Sequence, residues 1–529
     1  MAIYDRALLH GDVIRRVASL NDKQKAEFGY CKDIEMTTTI KILGTNKVIE
    51  NVDCMELLCL TDNIVPDSLC VFDSWIGYIR NIRLKITLKC ADGSLCVVND
   101  EDLDNFVDLF VNPDGKICDF EKDDFYVGQL LYGPKKDLKN AKWINQTQKM
   151  KSFINSIGND KIRVTVKEVI VNNVSVVWLT CVNSNLFINN NNTTANSCET
   201  KASSGDNVPK EESDKKVPFG FHRIHGDDLK RIKCLNYFQN YSLQIGDHCY
   251  YDLKSDDKMI TFDEWRGKQF DKFNNEKEKA GAKKTIRKSS SSGSNSSFVN
   301  SFSNSCKRRI EFSMSRFKKM NLRRTDKRNK TPLILPIELK PGCRYPIDIL
   351  STKTTVTVVW QSSLIKQKVD ANLLYPVHHI DSHDFFPGDY VCEASSIYNY
   401  SKFGVVQKVD HDKRIATVNW FEQPNSCLSI KNDCIPKLIS QESLSVYDIK
   451  DHNEFDFRMG CCVFKLSERK GDFANVGQVI DLNFDGQLLC RWIDGSTSLV
   501  YPYEILLIVD NVISFVQKIL INFFTNFLG

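Results

Sequence analysis

No two cysteines in this chain are spaced as Cys-x-x-Cys, although it holds 19 of them. That absence argues against a zinc ribbon, whose ligands come in such pairs. There is no Gly-rich phosphate loop, no Gly-x-Ser-x-Gly elbow and no His-Glu-x-x-His helix. The chain therefore offers none of these frames for phosphoryl transfer, serine hydrolysis or zinc hydrolysis, and no cofactor is expected. Met1-Ala2-Ile3-Tyr4-Asp5-Arg6 carries a charge pair and no apolar run, so a secretory leader is not expected. Long apolar runs are also scarce. Residues 511–529 are apolar and aromatic, but Gln517, Lys518, Asn522 and Asn526 interrupt them. This favours a short amphipathic or poorly packed tail over a membrane span, and no membrane partner is expected.

What is present is a folded chain with an uneven charge. Of 529 residues, 42% are apolar, enough to bury several cores. The net charge is +4, yet residues 268–330 hold 19 Lys or Arg against 5 Asp or Glu. That segment is at +14, so the remainder of the chain is at −10. The cysteines fall in strand-like runs (Cys90, Cys96, Cys181, Cys392, Cys490) rather than in loops. They are expected to be reduced thiols buried as small apolar groups.

The organisation is a repeat. One copy reads Val476-Gly477-Gln478-Val479-Ile480, Leu488-Leu489-Cys490-Arg491-Trp492, a turn at Asp494-Gly495 and a closing Leu506-Leu507-Ile508. Others read Phe403-Gly404-Val405-Val406 then Ala416-Thr417-Val418-Asn419-Trp420, and Thr355 to Trp360 then Leu373-Leu374. Copies open at Gly11-Asp12-Val13-Ile14, at Pro387-Gly388-Asp389-Tyr390-Val391 and, more loosely, at Gly460-Cys461-Cys462-Val463-Phe464. Hairpins are expected about Gly44-Thr45-Asn46 and Asp92-Gly93, since such residues supply the positive φ of a tight turn. Period-two alternation turns one face of each strand inward, and about five such strands close a small barrel. The glycine of Gly-x-Val is expected to mark a close approach.

These signals predict a mainly β protein made of tandem small SH3-like or Tudor-like β-barrels in two blocks. The units are placed at 8–66, 67–123, 124–185, 336–380, 381–448 and 449–508, with a partial copy at 228–265 about Ile245-Gly246-Asp247-His248. Residues 189–216 and 268–330 are too polar to offset the entropy of ordering. They are expected to be a disordered insert and a disordered basic linker between the blocks.

Three residue groups bear on function. Lys307, Arg308 and Arg309, with Lys318, Lys319, Arg323 and Arg324, form two basic groups across a spacer, the form of a nuclear import signal read by an import receptor. The same charges suit nucleic-acid phosphates, a less favoured partner. Trp360, Trp420 and Trp492 end alternating strands. They are candidates either to line a peptide groove or to cap each barrel's core. His378, His379 and His383 are the one dense histidine group, with a structural or solvated role favoured over metal binding.

Longer phrases carry a resemblance. Ile42-Leu43-Gly44-Thr45-Asn46, Phe125-Tyr126-Val127-Gly128-Gln129, Gly133-Pro134, Tyr375-Pro376-Val377-His378-His379-Ile380-Asp381, Phe386-Pro387-Gly388-Asp389 and Gly404-Val405-Val406-Gln407 run in a single order. Ser445-Val446-Tyr447-Asp448-Ile449, Asp451-His452 and Phe455-Asp456-Phe457-Arg458 follow. In this the chain resembles the family of large type O ubiquitin-conjugating enzymes, hybrids that join conjugating and ligase roles, from about residue 8 to 508. The resemblance implies barrels that recognise client proteins through basic or exposed apolar segments. It also implies a conjugating domain whose cysteine carries ubiquitin. That domain's His-Pro-Asn signature is not found, as none of the nine histidines precedes a proline, and no cysteine takes the catalytic role. The expectation is a truncated, substrate-recognition portion, working with ubiquitin-pathway components where a conjugating domain is supplied, in cytoplasm and nucleus. The rival is a nucleic-acid-associated protein using tandem barrels and the basic linker.

Overall fold

The computed structural model describes residues 8–17, 27–61, 64–73, 75–111, 124–181, 221–272, 338–395, 402–422, 435–466 and 475–508. The insert at 189–216, the tail at 511–529 and the seven basic residues from Lys307 to Arg324 lie outside them. So does the linker, except that residues 268–272 end a helix begun at 262.

The strands of the described residues form four sheets. Six barrels share them, and all six have one strand order: closing, first, second, third, fourth. Barrel V shows it plainly, with Ile449–Asp451 beside Tyr390–Glu393, then Lys402–Asp410, Ile415–Glu422 and Leu438–Ser445. Barrel VI repeats it with Ile505–Leu507, Cys462–Lys465, Val476–Leu482, Leu488–Trp492 and Thr497–Val500.

The other four barrels are built from exchanged strands, which corrects the sequential division expected for 8–185 and 336–380. Gly29–Ile42 and Arg344–Trp360 pair along almost their whole length. Their Gly29 and Trp360 ends make barrel I with Val13–Arg16, Ile365–Asp370 and Leu374–Pro376. Their Ile42 and Arg344 ends make barrel II with Lys47–Asp53 and His248–Asp252, closed by a bridge from Leu58 to Tyr250. Trp75–Cys90 and Lys161–Cys181 do the same for the next pair. Barrel III adds Leu69–Phe72, Phe221–His225 and Lys233–Leu235. Barrel IV adds Leu95–Asn99, Val107–Asp108 and Leu130–Pro134. Bulges break the register twice in the first long pair and four times in the second. Each bulge bends its strand, and barrels V and VI carry one at the matched place, Val406/Lys408 and Val479/Asp481. The expected partial copy at 228–265 is therefore the closing strand of barrel III followed by the first strand of barrel II. The two blocks are likewise not separate: barrels I and II take strands from both sides of the linker.

One opening turn recurs in all six. Gly11, Gly128, Gly246, Gly388 and Gly460 hold φ between 82° and 95°, and Asp67 takes their place in barrel III at 61°. Each N–H donates to a second-strand carbonyl (Cys31, Val166, Ile349, Val406, Val479 and Ile79) at 2.7–2.9 Å. The same six residues donate back to the residue after the turn at 2.9–3.2 Å. Glycine fits because a Cβ is strained at positive φ, and aspartate is among the residues that tolerate it best. The aspartate of Gly-Asp has its own task. Asp12, Asp247 and Asp389 accept the backbone N–H three residues earlier, from Leu9, Gln244 and Phe386, at 2.7–2.8 Å.

Asp389 does this where barrels I, V and VI meet, and burial pushes its carboxyl up to about 7, with Asp451 and Asp456 adding to the rise and Arg458 and the Phe386 N–H opposing it. A raised acid stabilises the fold fully below its ordinary value of 3.8, and that contribution is lost as pH climbs through 7. The three barrels should melt lower at pH 8 than at pH 5.5, by an amount on the order of 3 kcal/mol at most. Asp389→Asn, which keeps an acceptor, should remove most of that difference in calorimetric scans at the two pH values.

Candidate polypeptide-binding face on barrel VI

Trp360, Trp420 and Trp492 are each only 1% exposed. They stand in the cores of barrels I, V and VI, so the peptide-groove alternative is corrected and the core-cap alternative holds. Each ring covers the backbone of a second-strand glycine. A Cβ at Gly477 would lie 2.6 Å from Trp492 Cε3, one at Gly404 3.0 Å from Trp420 Cζ3, and one at Gly29 2.9 Å from Trp360 Cε3. Trp178 sits likewise on Gly77 in barrel III, 2.8 Å from such a Cβ. The glycine of Gly-x-Val thus admits a ring. Barrels II and IV fill the matched positions with Ile347–Ile42 and Val164–Cys90 instead. A cation from the first or second strand lies over three of the rings: Arg16 on Trp360 at 4.2 Å, Lys402 on Trp420 at 4.7 Å and Lys465 on Trp492 at 5.7 Å. Trp492 Nε1 donates to Ser498 Oγ at 2.8 Å.

The histidines do not converge. His378 and His379 are exposed, and His383 packs edge-on against Tyr447. Asp381 and Asp384 pair with Arg414 at 3.2 and 2.7 Å. Among the described residues no group of three His, Cys, Asp or Glu is placed to hold a metal ion. Four of the strand thiols are shielded as well, whereas Cys343 is exposed: burial raises Cys96, Cys462 and Cys490 to about 12 and Cys90 to about 11. That is opposite to the shift that makes a thiol nucleophilic.

Packing then decides which barrel faces remain free. Barrel VI merges its core with two neighbours: Val479, Leu488 and Trp492 join Phe28 and Tyr30 of barrel I and Tyr390 and Phe403 of barrel V. Tyr390 donates to the Gly486 carbonyl at 3.0 Å, Gln407 Nε2 to that of Phe484 at 2.7 Å, and Lys32 pairs with Asp481 at 3.1 Å. A second face of barrel VI lies on barrel III, where Val476 and Ile508 meet Leu69, Val71 and Leu235.

Among the described residues neither apolar cluster takes in the outer side of Leu488–Trp492 and Thr497–Val500, where the Arg491 guanidinium lies over the Tyr237 ring at 5.3 Å. Leu489 stands directly opposite Leu499, and Arg491 opposite Thr497. Leu499 is 50% exposed. The outward position of an alternating strand facing water is ordinarily polar. Leucine on both strands of a pair is a break in that pattern, and it was the signal in the sequence that composition and motif left unread. An apolar pair beside an exposed arginine is the chemistry of a protein-docking patch.

Comparison with known proteins agrees with this geometry unit by unit. Residues 66–240 match the UBE2O tandem tSH3-B domain, the stretch that builds barrels III and IV. Residues 382–454 match the UBE2O SH3-B domain, and residues 455–514 the UBE2O ubiquitin binding SH3-C domain. The chain belongs to the UBE2O family. Two Arabidopsis thaliana relatives are a "Probable ubiquitin-conjugating enzyme E2 24", 28% identical over 183 residues, and a "Probable ubiquitin-conjugating enzyme E2 23", 27% identical over 125. These matches cover 30% and 22% of this chain and only 20% and 11% of the relatives' own lengths. The UBE2O assignment makes this a ubiquitin-pathway protein built of SH3-type domains. Its SH3-B unit is barrel V and its SH3-C unit is barrel VI.

Proposed function

We propose that this chain is the substrate-recognition portion of a hybrid ubiquitin-conjugating enzyme and ligase, with ubiquitin held on barrel VI and client proteins on its neighbours. The observation that carries this is the Leu489–Leu499 pair, with Leu489 partly buried and Leu499 half exposed, on the outer face of the barrel that matches the ubiquitin binding SH3-C domain. Clients with basic or exposed apolar segments suit a chain whose folded part is net acidic. The seven basic residues from Lys307 to Arg324 act as a nuclear import signal, placing the protein in cytoplasm and nucleus.

A chain with its 273–337 segment deleted should still bind ubiquitin and an unfolded basic protein, as read by isothermal titration. The +14 segment favours a second reading, in which the protein holds nucleic acid. Under it, RNA or DNA would bind with a steep salt dependence and release on neutralising Lys307, Arg308 and Arg309. Under the first, that triple substitution leaves both protein ligands bound and keeps a fluorescently tagged chain out of the nucleus.

A further inference from the structure

The fourth strand of every barrel has one partner within its barrel and one edge turned away. In two barrels the chain covers that edge itself. Met259–Thr261 adds antiparallel to Lys47–Asp53 in barrel II, with Met259 opposite Ile49 and Ile260 opposite Val48. Lys142–Asn145 adds antiparallel to Leu95–Asn99 in barrel IV, with Trp143 opposite Cys96. Both added pieces are short, extended and drawn from elsewhere in the sequence. Both begin at or just after a lysine, Lys258 or Lys142, and continue with an apolar residue and isoleucine. Adding a strand to this edge is thus a habit of the fold.

Barrel V has the longest fourth strand, the eight residues Leu438–Ser445, and among the described residues it pairs only with Ile415–Glu422. Leu438 is 51% and Ile439 54% exposed. Natural edges are commonly guarded by lysine or proline. The matching strand of barrel I carries Lys366 and Lys368 within it; in barrel V such residues, Pro436 and Lys437, stand only at the entry, and residues 438–445 contain neither type. Their one charge is Glu442. It stands opposite the buried Val418, on the side of the sheet that faces the barrel core, and is nevertheless exposed. A carboxylate in that position opposes indiscriminate pairing and rewards a partner that brings a cation.

We infer that Leu438–Ser445 is the client-docking edge: it takes an extended client segment as an added antiparallel strand, with Leu438 and Ile439 against its apolar side chains and Glu442 against its lysine or arginine. This rests on the client-binding function proposed above and names the barrel and the chemistry that perform it. Main-chain hydrogen bonds supply affinity that tolerates many sequences, and the carboxylate supplies the preference for basic ones.

The test uses the full chain and a fluorescein-labelled octapeptide alternating lysine or threonine with valine or isoleucine, read by anisotropy. Glu442→Lys should weaken binding about tenfold, and a probe with glutamate in place of lysine should restore it. N-methylation of alternate probe amides should abolish binding, and amide exchange of residues 438–445 should slow with the unmodified probe. Unchanged affinity in Glu442→Lys, or equal binding of the methylated probe, overturns the edge as the site. If the octapeptide does not bind but reduced, alkylated lysozyme does, the edge is refuted and client binding stands. If neither binds, both fall. Self-association of the chain that Glu442→Lys abolishes would give the edge to a second copy and also overturn the inference.

Discussion

Trp492→Ala is expected to unfold barrel VI and with it the binding of ubiquitin. The ring is fully buried, lies on Gly477, and belongs to the core that barrel VI shares with barrels I and V. Removing a buried tryptophan costs about 3–5 kcal/mol, because the cavity left behind collapses only in part. Collapse is harder here than in a core of flexible side chains, since the ring is bounded below by backbone and above by the Lys465 ammonium. Gly477→Val should act in the same direction, as its side chain enters the space that the ring occupies. A chain of several barrels does not melt in one step, so amide exchange resolved by segment is the appropriate readout. Residues 462–466 and 475–507 should lose protection in both variants. The barrel III and IV strands should change least, since barrel VI meets barrel III by a separate apolar contact and does not supply its core.

Leu499→Glu is expected to separate binding from stability. The side chain is half exposed, so a charge there should leave the melting profile within about 0.5 kcal/mol of the parent. In a docking patch the same charge is buried without a partner. Ubiquitin affinity should then fall by at least tenfold, and Leu489→Ala should lower it by a smaller factor. Thr497→Val, on the same outer face, serves as a control that keeps the shape and adds no charge. A titration in which Leu499→Glu binds ubiquitin as the parent does would remove this face from consideration while leaving the barrel intact.

How far the sequence led can be traced through particular residues. The hairpins at Gly44, at Asp92-Gly93 and at Asp494-Gly495 were readable because turn chemistry is local: Gly44, Gly93 and Gly495 all hold positive φ. The partners of the long strands were not, because alternation is a property of a single strand, whereas the choice of neighbour is made by packing. A clue was present. Gly29–Ile42 has 14 residues and Lys161–Cys181 has 21, far beyond the five or six or so usual for a strand. Runs of that length signal a strand passing through two barrels. The opening turn at Asp67 was missed because aspartate stands where the other copies have glycine. At the site, the recurrence of tryptophan at a matched position spoke for the core, as found. The Leu489–Leu499 pair went unread because its meaning depends on Val476 and Ile508 being packed on barrel III while Leu499 stays half exposed.

Amide exchange on the full chain with and without ubiquitin is the measurement closest to the central claim, that a row of barrels holds polypeptides on its sheet surfaces and that barrel VI holds ubiquitin. The account predicts slowed exchange confined to residues 488–500, with residues 438–445 unchanged until a basic extended peptide is added. Protection that falls on another barrel, or on none, would contradict it.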